Sequence, residues 1–271
     1  MPSFVPVSMK PAPFAPIVLG NLKVKVAETP DEVVAAQRLR YQIFVGEIGA
    51  HPTAEMQAEQ RDFDEFDLHC DHMLVIAIGN DGNEEIVGTY RLLRAEGMKK
   101  VGRYYSEDEF DVSALKKLQG ELLELGRSCV REDFRNKAAM QLLWRGIGEY
   151  VTYYDIKYMF GCASFAGSDP KAHEQELAFL HHFHSAPEAL SPKALPSRYV
   201  DMNMLPKDKV DQKRAFYDLP VLIKGYLRLG GFIGDGAVID AVYNTVDVSI
   251  VVDTSGVGEK YVSKYAPDKK K

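Results

Sequence analysis

The sequence predicts an α/β protein, a mixed sheet wrapped by helices. β-rich runs and stretches of helical periodicity alternate through its middle, and the chain shows no internal repeat of the kind that builds a solenoid. At 271 residues it has the length of one to two domains, and folding hides roughly three quarters of the extended surface.

The elements follow in order. Residues 1–21 begin with a stretch broken by prolines and read as an irregular arm. LKVKVAE is a short strand, after which Thr29, Pro30 and Asp31 open a helix with Ala36, Leu39 and Ile43 at helical spacing; Arg40 and Phe44 share an adjacent face. From Gly49 to Asp71 the chain is polar and aperiodic, longer than an idle loop, and is expected to work as a lid or substrate loop. HMLVIAI and IVGTYRLL are strands joined by GNDGNEE, whose Asn-Asp-Gly punctuation marks a hairpin. ELLELGRSCV is a buried strand, and RNKAAMQLLWRGIGEYVTYY a helix with Met140, Leu143, Ile147, Val151 and Tyr154 on one stripe. YMFGCASF is the next strand, and Asp169-Pro170 caps the helix PKAHEQELAFLHHFH. From about Leu190 the chain is loop-rich until LPVLIKGYLRLGG and a closing strand, VDVSIVVD. The expected organisation is one catalytic domain over 22–255, with a C-terminal extension from about 190 and a charged tail over 256–271.

Composition narrows the function. Lys and Arg number 33 against 39 Asp and Glu, a net charge of −6, so the global field repels nucleic acid and any anionic partner must meet a local basic patch. No run approaches the ~18 apolar residues of a membrane span, and prolines break the N-terminus where a secretory segment would be continuous, so a cytoplasmic protein is expected. Cys70, Cys129 and Cys162 form no C-x-x-C, and neither disulfides nor a zinc ribbon are indicated.

Two segments carry chemistry. In VREDFRNKAAM a strand gives way to a helix start ringed by Arg131, Arg135 and Lys137, which is either an anion site or a solvated helix end. R-x-x-A-x-M at 135–140 resembles a weakened form of the R-x-x-G-x-G/A loop of the GCN5-related N-acetyltransferases (GNAT), and loss of both glycines favours a donor carried on a phosphopantetheine arm over a free diphosphate. In ELGR, Glu124 and Arg127 lie three apart and would face oppositely in a regular strand; a bulge at Gly126 would bring both to one face, as a shared pocket or as an internal ion pair.

Arg40 and Phe44 four apart, Asp64 and Asp67 three apart in DEFD, Arg91 in TYRLL, and Glu124 with Arg127 form an ordered set that resembles the acyl-homoserine-lactone synthases. One position departs: Ala50 stands where those synthases carry a tryptophan. The longer strings LRYQIFVGEIGA, RDFDEFDLHCDHMLV, VGTYRLL, FGCASF and LIKGYLRLGGFIGDGAVID resemble the ornithine-acyl carrier protein N-acyltransferases of bacterial ornithine-lipid synthesis, a group often labelled hemolysins, from about Lys23 to Val252.

The resemblance implies a GNAT-like, mixed and mostly antiparallel central sheet flanked by helices. It implies transfer of a 3-hydroxyacyl chain from acyl carrier protein to the α-amine of ornithine, giving lyso-ornithine lipid, with no cofactor beyond the phosphopantetheine of the carrier. On this reading Glu124 is the general base, Arg91 or Arg127 clamps the acceptor's carboxylate, Asp64 and Asp67 receive its side-chain ammonium, Arg40 and Phe44 complete the substrate site, and Arg131, Arg135 and Lys137 dock the acidic carrier. Alternatives are acylation of glycine or glutamine, lactone synthesis, and, in another class, a membrane-active protein, which liposome leakage without substrates would reveal.

The remaining features take plain readings. His173, His181, His182 and His184 share one helix and are read as surface or packing residues rather than metal ligands, Cys129 and Cys162 as inert core thiols, and HCDH around Cys70 as no ligand set. GGFIGDG lacks the Lys-Ser/Thr of a P-loop, so its glycines are read as turn residues. LIKGYLRLGGF is either a buried packing segment or a peripheral contact with the inner membrane.

Overall fold

The computed structural model describes residues 12–135 and 137–256; the arm before residue 12 and the tail after 256 lie outside them. In chain order the first elements are β1 (Ile17–Leu19), β2 (Leu22–Val26), α1 (Pro30–Ile43), a π-helical turn (Phe44–Ile48), α2 (Ala54–Glu59), β3 (Asp71–Ile78), β4 (Glu84–Arg94) and α3 (Ala95–Val101). Then come β5 (Phe110–Asp111), α4 (Ser113–Lys116), β6 (Glu121–Val130), α5 (Lys137–Tyr153) and β7 (Ile156–Ala166). The chain continues through α6 (Glu174–His184), β8 (Lys193–Ala194), β9 (Tyr199–Val200), α7 (Gln212–Asp218), α8 (Val221–Arg228), β10 (Phe232–Asp240) and β11 (Thr245–Asp253).

Two compact units emerge. The first, built from residues before 105 and from 123–156, orders its strands β1-β2-β3-β4-β6, antiparallel at every pairing. The second takes residues 105–122 together with the described residues 157–256, so the segment after 190 folds with β5 and β7. There β7 pairs β11 and β11 pairs β10, both antiparallel, while β8 lies parallel to β10 and antiparallel to β5. The pairing is thus mixed and mostly antiparallel. Among the described residues no helix is long and apolar enough to cross a membrane.

In the first unit the alternation of β3 sorts side chains between two layers. Leu74 and Ile76 pack with Ala36 of α1 on one face. On the other, Met73 meets the backbone of Gly146 in α5, and the Tyr150 hydroxyl donates to Asp71 at 2.5 Å. The buried stripe of α5 is Ala139, Leu142, Leu143, Ile147 and Tyr150, about one residue from the predicted stripe; Met140, Val151 and Tyr154 flank it, half-buried. α1 starts where its sequence dictates: Thr29 accepts from the Glu32 amide, Glu32 accepts from the Thr29 amide, and Pro30 occupies the first turn, a capping box worth about 1 kcal/mol.

Other expectations shift for physical reasons. Part of the predicted arm, Ile17–Leu19, pairs with β2 around a turn in which Gly20 takes φ 62°. The Gly49–Asp71 stretch contains α2, capped by Thr53, and its Asp62 and Asp67 are buried, which charge composition alone concealed. FIGDG is not a turn: it lies within β10, where the register shifts between Ile233 and Ala237 and Gly236 takes φ 82°, a conformation costly to any residue with a Cβ.

Candidate active site

Cross-strand pairing sets the site on one face of the first sheet. His72 pairs with Arg91 and Arg91 with Gly126, so all three share the α1 face, and Glu124, two residues from Gly126, joins them. Between Thr89↔Cys129 and Arg91↔Gly126 the β6 strand has one residue too many: Arg127 and Ser128 stand opposite Tyr90 alone. This is a bulge, as ELGR suggested, but the residue that leaves extended geometry is Arg127, with φ 52°, and not the glycine. Gly126 contributes space instead. A Cβ built there would meet nothing within 4 Å, so the sheet is open between Glu124 and Arg127.

The bulge lets the Arg127 guanidinium close a ring of alternating charges. Arg40 pairs with Asp62 (2.7 Å) and Asp67 (2.7 Å), Arg91 with Asp67 (3.1 Å) and Asp64 (2.6 Å), and Arg127 with Asp64 (3.2 Å) and Asp62 (3.4 Å). Three elements and one loop thereby meet: α1 gives Arg40, β4 Arg91, β6 Arg127, and the segment before β3 all three aspartates. Arg40, 0% exposed, also donates to the Asp62 carbonyl at 2.5 Å, which ties that segment to α1. Phe44, buried, is the first residue of the π-helical turn that follows α1.

The electrostatics follow the burial. Desolvation alone would raise the Asp67 carboxyl, but Arg40 and Arg91 outweigh it and hold it well below the usual carboxylate range. His72 is pushed down, chiefly by burial, which Asp67 only partly offsets; its Nε2 lies 3.0 Å from the Asp67 carbonyl, and it is neutral. Burial drives the Cys70 thiol well up, with Asp67, Asp64 and Glu124 adding to the shift, so Cys70 is an inert thiol and Glu124 lies close enough to feel the same cluster. Glu124 itself is 3% exposed. Asp64, its side chain 20% exposed, is the most open acid of the ring.

The structure therefore brings Arg40, Asp64, Asp67, Arg91, Glu124 and Arg127 together on one face. It adds Asp62 and His72, which the sequence reading passed over although RDFDEFD already placed Asp62 beside Asp64. The basic corner is different. Arg131 pairs with Glu85 (2.5 Å) and Asp133 (2.7 Å), Arg135 pairs with Glu47, and the Lys137 side chain lies outside the described residues. Asp133 stands in the same segment, but Glu85 and Glu47 come from other elements, where spacing along one segment could not reveal them.

The histidines of the α6 region serve packing: His182 meets the Leu205 carbonyl at 2.8 Å, and His184 stacks edge-on against Phe179. Cys129 is a buried thiol pushed up to about 12 by burial. Cys162 departs from the apolar reading, since its thiol donates to Glu109 at 3.3 Å. Ile223 and Tyr226 of α8 are buried, which makes that helix a packed element.

Comparison with known proteins is consistent with this geometry. The family described as acetyltransferase (GNAT) domain matches residues 39–145, a span that holds the whole ring, Glu124 and the basic corner. An L-ornithine N(alpha)-acyltransferase of Brucella abortus is 44% identical over 254 residues, 92% of this chain and 90% of that one. Its counterpart in Agrobacterium fabrum is 41% identical over 251 residues, 91% of this chain and 86% of that one. Among solved structures, FeeM, an N-acyl amino acid synthase from uncultured soil microbes, aligns over 89% of this chain and 93% of its own at 12% identity, with a TM-score of 0.46.

Proposed function

This chain belongs to the L-ornithine N(alpha)-acyltransferase family, and from that premise we propose that it joins a 3-hydroxyacyl chain, delivered on acyl carrier protein, to the α-amine of L-ornithine. It is an acyltransferase of the GNAT fold, acting at the first step of ornithine-lipid synthesis. The observation that carries the mechanism is the buried Glu124 beside open strand at Gly126, within the field of three arginines and three aspartates.

An amino acid's α-amine is mostly protonated near neutrality and attacks a thioester only after losing that proton. Glu124 accepts it, directly or through one water. The nitrogen lone pair then adds to the thioester carbonyl, and the bulge at Arg127 and Ser128, turned out of the β4 ladder, supplies backbone donors toward the oxyanion. Collapse expels the carrier's thiolate, which takes up a proton, leaving the amide.

Ornithine is a zwitterion with an added side-chain ammonium, and the most open link of the ring, Arg127 to Asp64 at 3.2 Å, has the complementary signs. Its carboxylate takes the Arg127 or Arg91 guanidinium and its ammonium takes Asp64, while Asp67 and Arg40, more deeply buried, keep the loop in place. Acyl carrier protein is acidic. Its docking at Arg131, Arg135 and Lys137 displaces Glu85, Asp133 and Glu47, exposed pairings worth about 0–1 kcal/mol each, so donor affinity falls as salt rises. The product is amphiphilic, and a cytoplasmic enzyme delivering it works at the inner membrane face.

Incubating the purified chain with 3-hydroxyacyl carrier protein and a panel of amino acids, then weighing the products, tests the reading. Lyso-ornithine lipid as the dominant product supports it; acylation of glycine or glutamine in preference to ornithine overturns the acceptor assignment.

A further inference from the structure

The second unit holds a polar interior that acyl transfer does not use. Thr245, Asp247 and Ser249 alternate along β11 and so share a face, and Asp240, paired with Thr245 across the hairpin, joins them. Their exposures are 5%, 5%, 0% and 5%. Glu109, buried on the segment leading into β5, meets them from another element: ligand oxygens of Glu109, Asp240 and Asp247 all lie within 4.8 Å of one another.

Three buried carboxylates at this separation repel. Arg198 reaches Glu109 at 3.3 Å, which leaves a formal −2 when all three are ionised. Burial first, and the neighbouring carboxylates second, push Glu109 up to about 7, while Asp247 rises to about 6 for similar reasons despite the hydroxyls of Thr245 and Ser164 beside it.

A second observation is independent of the spacing of the acids. Ser249 Oγ, on the same buried face, has no hydrogen-bond partner, and neither does Asp247 Oδ1. Orphaned buried oxygens destabilise a fold, and such oxygens beside an acidic cluster suit an oxygen-donor site. Ser164, which pairs with Asp247 across β7 and β11, is exposed, so the cluster has a route to solvent.

We propose that Glu109, Asp240 and Asp247 bind one divalent cation of the hard class, Ca²⁺ or Mg²⁺, with the Thr245 hydroxyl as a further donor. A charge of +2 cancels the formal −2, and carboxylate and hydroxyl oxygens without imidazole select hard ions over zinc or copper. The ion pins the segment leading into β5 to the β10–β11 hairpin and stabilises the second unit without entering the acyl-transfer chemistry.

Mn²⁺ titration of the full chain stripped with EDTA, read by electron paramagnetic resonance, tests this. One bound ion per chain, with a Kd of about 10⁻⁵–10⁻³ M and displaced by Ca²⁺ or Mg²⁺, is the expected result. Asp247→Asn and Glu109→Gln each weaken binding at least tenfold. Asp247→Asn removes one of three repelling charges, so the ion-free variant melts no lower than the ion-free wild type, and its Tm no longer rises with added cation. Absence of bound Mn²⁺ up to about 5 mM, or equal binding by Asp247→Asn, overturns the proposal and leaves the cluster holding protons and water.

Discussion

Replacing Asp67 with asparagine keeps the size of the side chain and removes one charge from the ring. Asp67 accepts from Arg40 at 2.7 and 3.0 Å, from Arg91 at 3.1 Å and from Gln37 at 3.0 Å, all with little or no contact with solvent. The substituted amide can accept through one oxygen only, and its nitrogen faces guanidinium donors. The three arginines of the ring then share Asp62 and Asp64 alone, an uncompensated buried charge that costs about 3–5 kcal/mol. In a chain of this size each kcal/mol moves Tm by roughly 2–4 °C, so a fall of about 6–20 °C is expected by calorimetry or circular dichroism. Asp64→Asn, at the open edge of the ring, should cost about 1 kcal/mol. The double variant Arg40→Met with Asp67→Leu, which removes both charges, should be less destabilised than the sum of its single changes. An Asp67→Asn protein melting within about 2 °C of wild type would refute the view that the ring holds the site together.

Further outcomes follow from the same geometry. Asp64→Ala should raise the ornithine KM more than the donor KM in steady-state assays; equal effects would make Asp64 merely structural. His72, facing Asp67, Arg40 and Arg91, is held neutral in the fold, so the unfolded chain binds the extra proton as pH drops below 6.5, and its contribution to stability is present above that pH and lost below it. Denaturant melts should therefore show a stability slope between pH 6.5 and 5 that is less positive in His72→Phe than in wild type, and an unchanged slope would contradict this. A Cβ at Gly97 in α3 would collide with the His69 carbonyl just after Asp67, so Gly97→Ala should cost about 1–3 kcal/mol in thermal melts, and a neutral result would show that the loop yields freely.

Local physics made much of the first unit legible in the sequence. Thr29-Pro30-Asp31 fixed the start of α1, the Asn-Asp-Gly hairpin joined β3 to β4, and the boundaries of β6 coincide with ELLELGRSCV. The bulge was read from Gly126, yet the left-handed residue is Arg127, because its guanidinium gains two aspartates there and tertiary pairing outweighs backbone preference. Charge patterning misled where charges are paired across elements: Asp67 was read as a substrate carboxylate on a polar loop although Arg40 and Arg91 bury it, and Arg135 resembled a free anion site until Glu47 was brought beside it. The β10 strand was hidden by its glycines. Gly234 is needed where Pro192 passes close by and Gly236 for its left-handed φ, and neither pressure is visible along the chain.

The central claim is that the buried Glu124 frees the ornithine nitrogen for attack. Single-turnover rates of Glu124→Gln with 3-hydroxyacyl carrier protein and saturating ornithine test it most directly. The account expects a loss of roughly 10²–10⁴-fold with donor binding unchanged. A rate equal to that of the wild-type enzyme would contradict it.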